Sequence, residues 1–176
     1  MIKFDIEKIN RENFRKILKG FSYPATKSDI ELFMNDIQLT FGVLFLYSNV
    51  TYYIENDEKF EVIKSITNAE KVCLDEADYV FLSEFTDTEF TKCKIGNILN
   101  PEKSTTVIMM GANSTINVKL NGPGIENEKF VDLPLTEKFV ENFRKINGNF
   151  PLGLDFIIYD NKNSFFVLTR TTKLEV

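Results

Sequence analysis

The chain has 176 residues, 43% hydrophobic and 27% charged, which suits an ordinary globular protein folding as one domain over 1–176. Its net charge of −5, without any run of basic residues, argues against a nucleic-acid surface. It contains no histidine, which removes imidazole metal sites and both Ser-His-Asp and Cys-His catalysis.

Met1-Ile2-Lys3-Phe4-Asp5 lacks the apolar core of a secretory leader, so a cytoplasmic protein is expected. Asn10 reads as an N-cap, with Phe14, Ile17 and Leu18 on one helical face running to Gly20 as a stop. Phe21-Ser22-Tyr23-Pro24 reads as a turn, because the residue before a proline avoids helix. Ser28-x-x-Glu31 has the form of a capping box, and Ile30, Phe33, Met34, Ile37 and Phe41 predict a buried helix from there to about Tyr47. The uncharged stretch 37–54 carries Gln, Thr, Ser, Asn and three Tyr, whereas a membrane span needs roughly 20 mostly apolar residues, so no membrane contact is expected.

A strand is predicted over Tyr52–Glu55, then a short helix bearing Phe60, Ile63 and Ile66 after Asn56-Asp57. Lys71–Leu74 and Tyr79–Leu82 read as strands, and Phe85-Thr86-Asp87 leads into a short helix ending by Cys93. Cys73 and Cys93 have no metal-ligand spacing, so reduced thiols are the simple reading. Thr105–Met110 is a continuous apolar run, the pattern of a strand covered on both faces. Thr115–Leu120 alternates, and pairing with the preceding strand through Gly111-Ala112-Asn113 is expected. Gly122-Pro123-Gly124 follows as a glycine turn, either a tight turn needing positive φ or a place where backbone N–H groups approach an anion. Pro134 or Thr136 opens a helix with Phe139, Phe143 and Ile146 on one face, ended by Asn147-Gly148. Leu154–Tyr159 and Phe165–Leu168 form a hairpin over 160–163. The resulting fold class is α/β, a mixed sheet covered by helices on both faces.

Two polar clusters flank that hairpin: Pro151-Leu152-Gly153-Leu154-Asp155 before it and Thr169-Arg170-Thr171-Thr172 after it. A guanidinium beside hydroxyls suits a carboxylate, phosphate or phosphonate, and the plainer reading is a hairpin end held by an Arg170–Asp155 pair. Arginine is scarce, with four (Arg11, Arg15, Arg144, Arg170) against seventeen lysines, so an arginine can mark a place where the planar fork matters. Arg11 and Arg144 read as lying on solvated helix faces. Asp155 and Glu102 are weak candidates as proton carriers and more simply order an arginine or cap a turn.

Four ordered blocks carry a family resemblance. Phe150-Pro151-Leu152-Gly153-Leu154-Asp155 with Arg170-Thr171-Thr172-Lys173-Leu174-Glu175-Val176 resembles the C-terminus of the H subunit of the bacterial carbon–phosphorus lyase core complex. Phe14-Arg15-Lys16-Ile17-Leu18-Lys19-Gly20-Phe21-Ser22-Tyr23-Pro24 resembles that family's N-terminal arginine helix and Ser-x-Pro turn. Pro101-Glu102-Lys103-Ser104-Thr105-Thr106-Val107-Ile108 resembles its Pro-Glu strand lead-in, and Leu120-Asn121-Gly122-Pro123-Gly124-Ile125 its Leu-x-Gly-x-Gly-Ile turn. Ala25 and Ser104 stand where relatives usually have Gly. Lys173 stands where they often have His, which puts a proton-transfer role there in doubt.

The resemblance implies a fold like the large domain of pyridoxal-phosphate-dependent transferases, with the cofactor and its lysine absent. It implies a homodimer and a place among the other core subunits. In that setting the chain would support the joining of alkylphosphonate to the ribose of ATP, giving ribose 1-alkylphosphonate 5-triphosphate and free adenine, without catalytic residues of its own. The residues it nominates toward a phosphonate or nucleotide ligand are Arg15, Ser22, Glu102, Gly122, Gly124, Asp155, Arg170, Thr171 and Thr172. The alternatives are a free-standing enzyme or binding protein for a phosphorylated or phosphonate ligand, and a dimeric scaffold that takes no ligand.

Overall fold

A computed structural model describes residues 6–55 and 58–176. Its framework is a seven-stranded sheet in the order β1-β11-β10-β7-β4-β2-β3. The parallel run consists of β3 (Glu70–Lys71), β2 (Thr51–Ile54), β4 (Tyr79–Leu82), β7 (Thr106–Met110) and β10 (Asp155–Tyr159). Next to β10 lies antiparallel β11 (Ser164–Leu168), and β1 (Ser28–Asp29) pairs antiparallel with β11 at the edge.

Strand alternation divides the core into two faces. Phe81, Ile108, Ile157, Phe165 and Val167 point one way, onto Ile17 of α1 (Ile6–Ser22), Leu39 and Phe41 of α2 (Ile37–Phe45) and Ile63 of α3 (Glu61–Thr67). Val80, Leu82, Val107, Phe156, Phe166 and Leu168 point the other way, onto Phe139, Val140 and Phe143 of α4 (Glu137–Ile146). That second face is also covered by a three-stranded antiparallel sheet of β8 (Ile116–Asn121), β9 (Lys129–Leu133) and β12 (Lys173–Glu175), in the order β12-β8-β9. A separate two-stranded ribbon joins β5 (Ile95–Asn97) to β6 (Asn100–Ser104). The expected mixed sheet with helices on both faces is therefore present, with β-structure sharing the α4 side.

Several local expectations change. The first helix is under way before Asn10 and runs through Ser22, burying Asn13, Ile17 and Gly20 while Phe14 and Leu18 face outward. Gly20 is a contact point rather than a stop, since a Cβ there would lie 2.7 Å from Val167 Cγ2. Ser28 does not cap a helix. The segment around it runs along β11, with Ala25 N donating to Val167 O and Ile30 N to Asn163 O. The cap of α2 is Asp36, whose Oδ1 accepts from Leu39 N at 2.9 Å.

Of the strand expected over Lys71–Leu74, only Lys71 is in a strand, as the second residue of β3. The pairing expected between β7 and β8 does not form, because both edges of β7 are taken by β4 and β10. Gly111 N and Ala112 N instead donate to Tyr159 O and Pro134 O, steering the chain away from β7. Asn56 and Asp57 lie outside the described residues. No helix among the described residues is long and apolar enough to cross a membrane.

Candidate functional site

Arg170 follows β11 and faces Asp155 at the start of β10. Its Nε and Nη2 donate to Asp155 Oδ2 at 3.1 and 2.5 Å, and its backbone N donates to Asp155 Oδ1 at 2.7 Å. Nη1 donates to Pro101 O at 2.8 Å, so the same side chain also holds the β5–β6 ribbon, one residue from its turn. The two side chains are only 16% and 14% exposed. Of the five guanidinium N–H groups, three are committed and two remain. The pair closes the hairpin end, as the plainer reading of the sequence has it.

Several of the other nominated residues contact one another near this pair or at the neighbouring glycine turn. Thr171 and Thr172 hydroxyls both lie 2.9 Å from Thr169 Oγ1. Gly122 passes under them with φ +136, where a Cβ would stand 2.7 Å from Thr171 O. Gly124, at φ +81, would place a Cβ 2.1 Å from Ser22 O, so these two glycines are required by close backbone approach. Glu102 is exposed on β6 beside Pro101. Arg15 stands apart: it pairs with Glu12 at 2.8 Å on the exposed side of α1 and lines none of the clefts described below.

A cleft of about 460 Å³ opens where the C-terminal turn of α4 meets β12. Of the nominated residues, Arg170, Thr171 and Thr172 line it, and Pro123 between the two glycines joins them. Its remaining polar or aromatic lining is Phe143, Arg144, Asn147, Phe150, Lys173 and Glu175. Glu175 is engaged by Lys119 at 3.3 Å, and Asn147 is spent on both backbone groups of Leu154. Arg144 and Lys173 have no ion pair among the described residues, so they give the cleft a positive character.

Two other clefts differ in charge. One, beside α4, sets Glu137 and Glu141 against Arg144 and Lys145. The other, under β9, is mainly apolar, with Lys27 already paired to Asp160 at 2.9 Å.

Sequence reasoning passed over Arg144, Phe150 and Lys173 as parts of a common cleft. The available signal was the rarity of arginine together with the departure at Lys173.

Cys93 is buried, and burial together with the charges of Glu89 and Asp75 pushes its thiol up to about 12, far from a reactive thiolate. Among the described residues no group of three or more His, Cys, Asp or Glu side chains is placed to hold a metal ion. Asp155 already accepts three hydrogen bonds, all from Arg170.

With this geometry in view, the family model described as bacterial phosphonate metabolism protein (PhnH) matches residues 5–175. The chain belongs to this family. The match spans all four blocks read from the sequence and agrees with the resemblance to the H subunit of the carbon–phosphorus lyase complex. PhnH membership places the chain in phosphonate metabolism. No curated protein matches it at a significant level.

Proposed function

We propose that this PhnH-family chain is a single-domain, cytoplasmic, homodimeric subunit of the carbon–phosphorus lyase core complex. In that role it supports formation of ribose 1-alkylphosphonate 5-triphosphate from ATP and alkylphosphonate, with release of adenine, while sister subunits carry the reacting groups. The observation that carries this reading is the tip of the β5–β6 ribbon. Ile98 and Leu99 occupy the two-residue turn and are 80% and 89% exposed. Turns of this length ordinarily favour Asn, Asp and Gly, so two large aliphatic residues there have no local benefit.

The tip is nevertheless well formed. Asn97 Oδ1 accepts from Leu99 N at 3.0 Å and Asn100 N at 2.9 Å, locking the turn. Arg170 holds the ribbon near its turn through Pro101 O, and Gly153 N donates to Ile95 O at its root. A preorganised apolar knob of this kind fits a pocket on another core subunit, and burying two aliphatic side chains contributes about 3–6 kcal/mol before ordering costs.

The finer likeness to the large domain of pyridoxal-phosphate-dependent transferases belongs to this reading. Its support is the seven-stranded sheet with one antiparallel strand beside a parallel run. Arg170, Thr171 and Thr172 then line a ligand cleft, with Asp155 bracing Arg170 and Gly122 letting the facing turn approach Thr171, while Gly124, Ser22 and Glu102 lie outside its lining. Arg15 belongs to a separate surface.

Co-expression with the other core subunits tests the proposal. The wild-type chain should co-elute with them, and Ile98→Asp/Leu99→Asp should elute separately while melting at the wild-type temperature. Elution of the wild-type chain on its own would overturn the assembly reading. Turnover of ATP plus methylphosphonate by the isolated chain would favour the free-standing enzyme instead.

A further inference from the structure

We propose that the cleft between α4 and β12 is a binding site for a tetrahedral phosphorus oxyanion, with Arg144 and Lys173 supplying its charge. The choice of probes rests on the phosphonate reading above; the site itself rests on its lining.

The charge balance is the first argument. In a chain of net charge −5, this cleft gathers Arg144, Arg170 and Lys173 around one carboxylate, Glu175. Arg170 is balanced by Asp155 at 2.5 Å, while Glu175 shares Lys119 at 3.3 Å with Glu128, which holds it at 2.7 Å, so Glu175 is only partly neutralised. Arg144, from α4, and Lys173, from the small sheet, have no ion pair among the described residues and leave the lining with a net positive charge. The C-terminus of α4 carries a partial negative charge, so no helix dipole assists an anion here. Removing these two side chains should consequently remove most of the attraction.

Donor geometry is the second argument. Arg144 offers a planar fork for two oxygens of one phosphorus group, and Lys173 offers a point charge. Thr171, whose hydroxyl lies 2.9 Å from Thr169 Oγ1, and Arg170, with two N–H groups uncommitted among the described residues, also line the cleft. Pro123, held between two glycines in positive φ, keeps the facing turn in a fixed shape. The volume of about 460 Å³ lies within the usual range for small-molecule sites, roughly 300–1,000 Å³.

The oxyanion could come from a free alkylphosphonate or from the phosphate tail of a nucleotide, and Phe150 separates the two. It lines the cleft yet is 72% exposed, so a base could stack on its ring while a small phosphonate would not reach for it.

Calorimetric titration of the full chain with methylphosphonate, ATP and adenosine decides the matter. The phosphorus compounds should bind and raise the melting temperature, and adenosine should do neither. Arg144→Gln and Lys173→Gln should each weaken binding by about tenfold, since charge-assisted hydrogen bonds are lost. Arg15→Gln, outside the cleft, should leave it unchanged.

Loss of ATP binding alone in Phe150→Ala assigns a nucleotide; unaltered binding of both assigns the free phosphonate. Should Arg144→Gln fail to fold, Lys173→Gln decides alone, because that side chain is exposed on β12. The proposal falls if neither phosphorus compound binds at roughly 10 mM, or if the folded variants bind like wild type. Failure of co-elution would leave this result untouched, because the titration uses the isolated chain.

Discussion

Arg170 shows how one side chain can serve two levels of structure. Its fork closes the β10–β11 hairpin on Asp155, and its third bond fixes the ribbon through Pro101 O. Lysine keeps the charge but can aim one ammonium at only part of this set. Arg170→Lys should therefore cost about 1–2 kcal/mol, and Asp155→Ala about 2–4 kcal/mol because it strands a largely buried guanidinium. Denaturant melts measure both, and an Arg170→Lys midpoint equal to wild type would contradict the assignment. This pair was legible in the sequence, since scarce arginine, threonines and a carboxylate at a strand start converge on few explanations. Arg144 and Lys173 were not legible, because only the folding of β12 against α4 brings them to one space.

At the scale of elements, strands were readable wherever burial on both faces left an unbroken apolar run, as in Thr106–Met110, or wherever turn residues bounded a hairpin, as around Asp160-Asn161-Lys162-Asn163. Thr136 was readable as a cap: its Oγ1 accepts from Phe139 N at 3.1 Å and donates to Asp87. Ser28 misled because the same Ser-x-x-Glu pattern suits an edge strand once β11 offers a partner. Strand β9 gave little signal, since its residues alternate around a largely exposed Phe130. The Gly122–Gly124 turn carries an element-level prediction. Gly124→Ala would drive a Cβ into the Ser22 carbonyl at positive φ, costing about 2–4 kcal/mol, read as a lowered unfolding midpoint. An unchanged midpoint would mean that α1 and this turn separate freely.

The molecule as a whole has an unusual titration. Asp36, Asp78 and Asp160 are buried enough to oppose ionisation, yet hydrogen bonds from Lys59, Lys94 and Lys27, with nearby backbone N–H groups, outweigh this and hold all three below the ordinary carboxylate range. A depressed folded pKa stabilises above the unfolded value and loses that contribution as pH falls through the folded one. With no histidine to change charge between, stability should be flat from about pH 5 to 8 and decline below about pH 4. Melting temperatures taken across that range check it; equal values at pH 3 and pH 7 would refute it.

The guanidinium that grips the Pro101 carbonyl also forms part of the cleft wall. With the proposed oxyanion in the cleft and the proposed partner on the tip, one side chain would stand between them: a protein that grasps Ile98 and Leu99 would tug on the same group that the oxyanion feels.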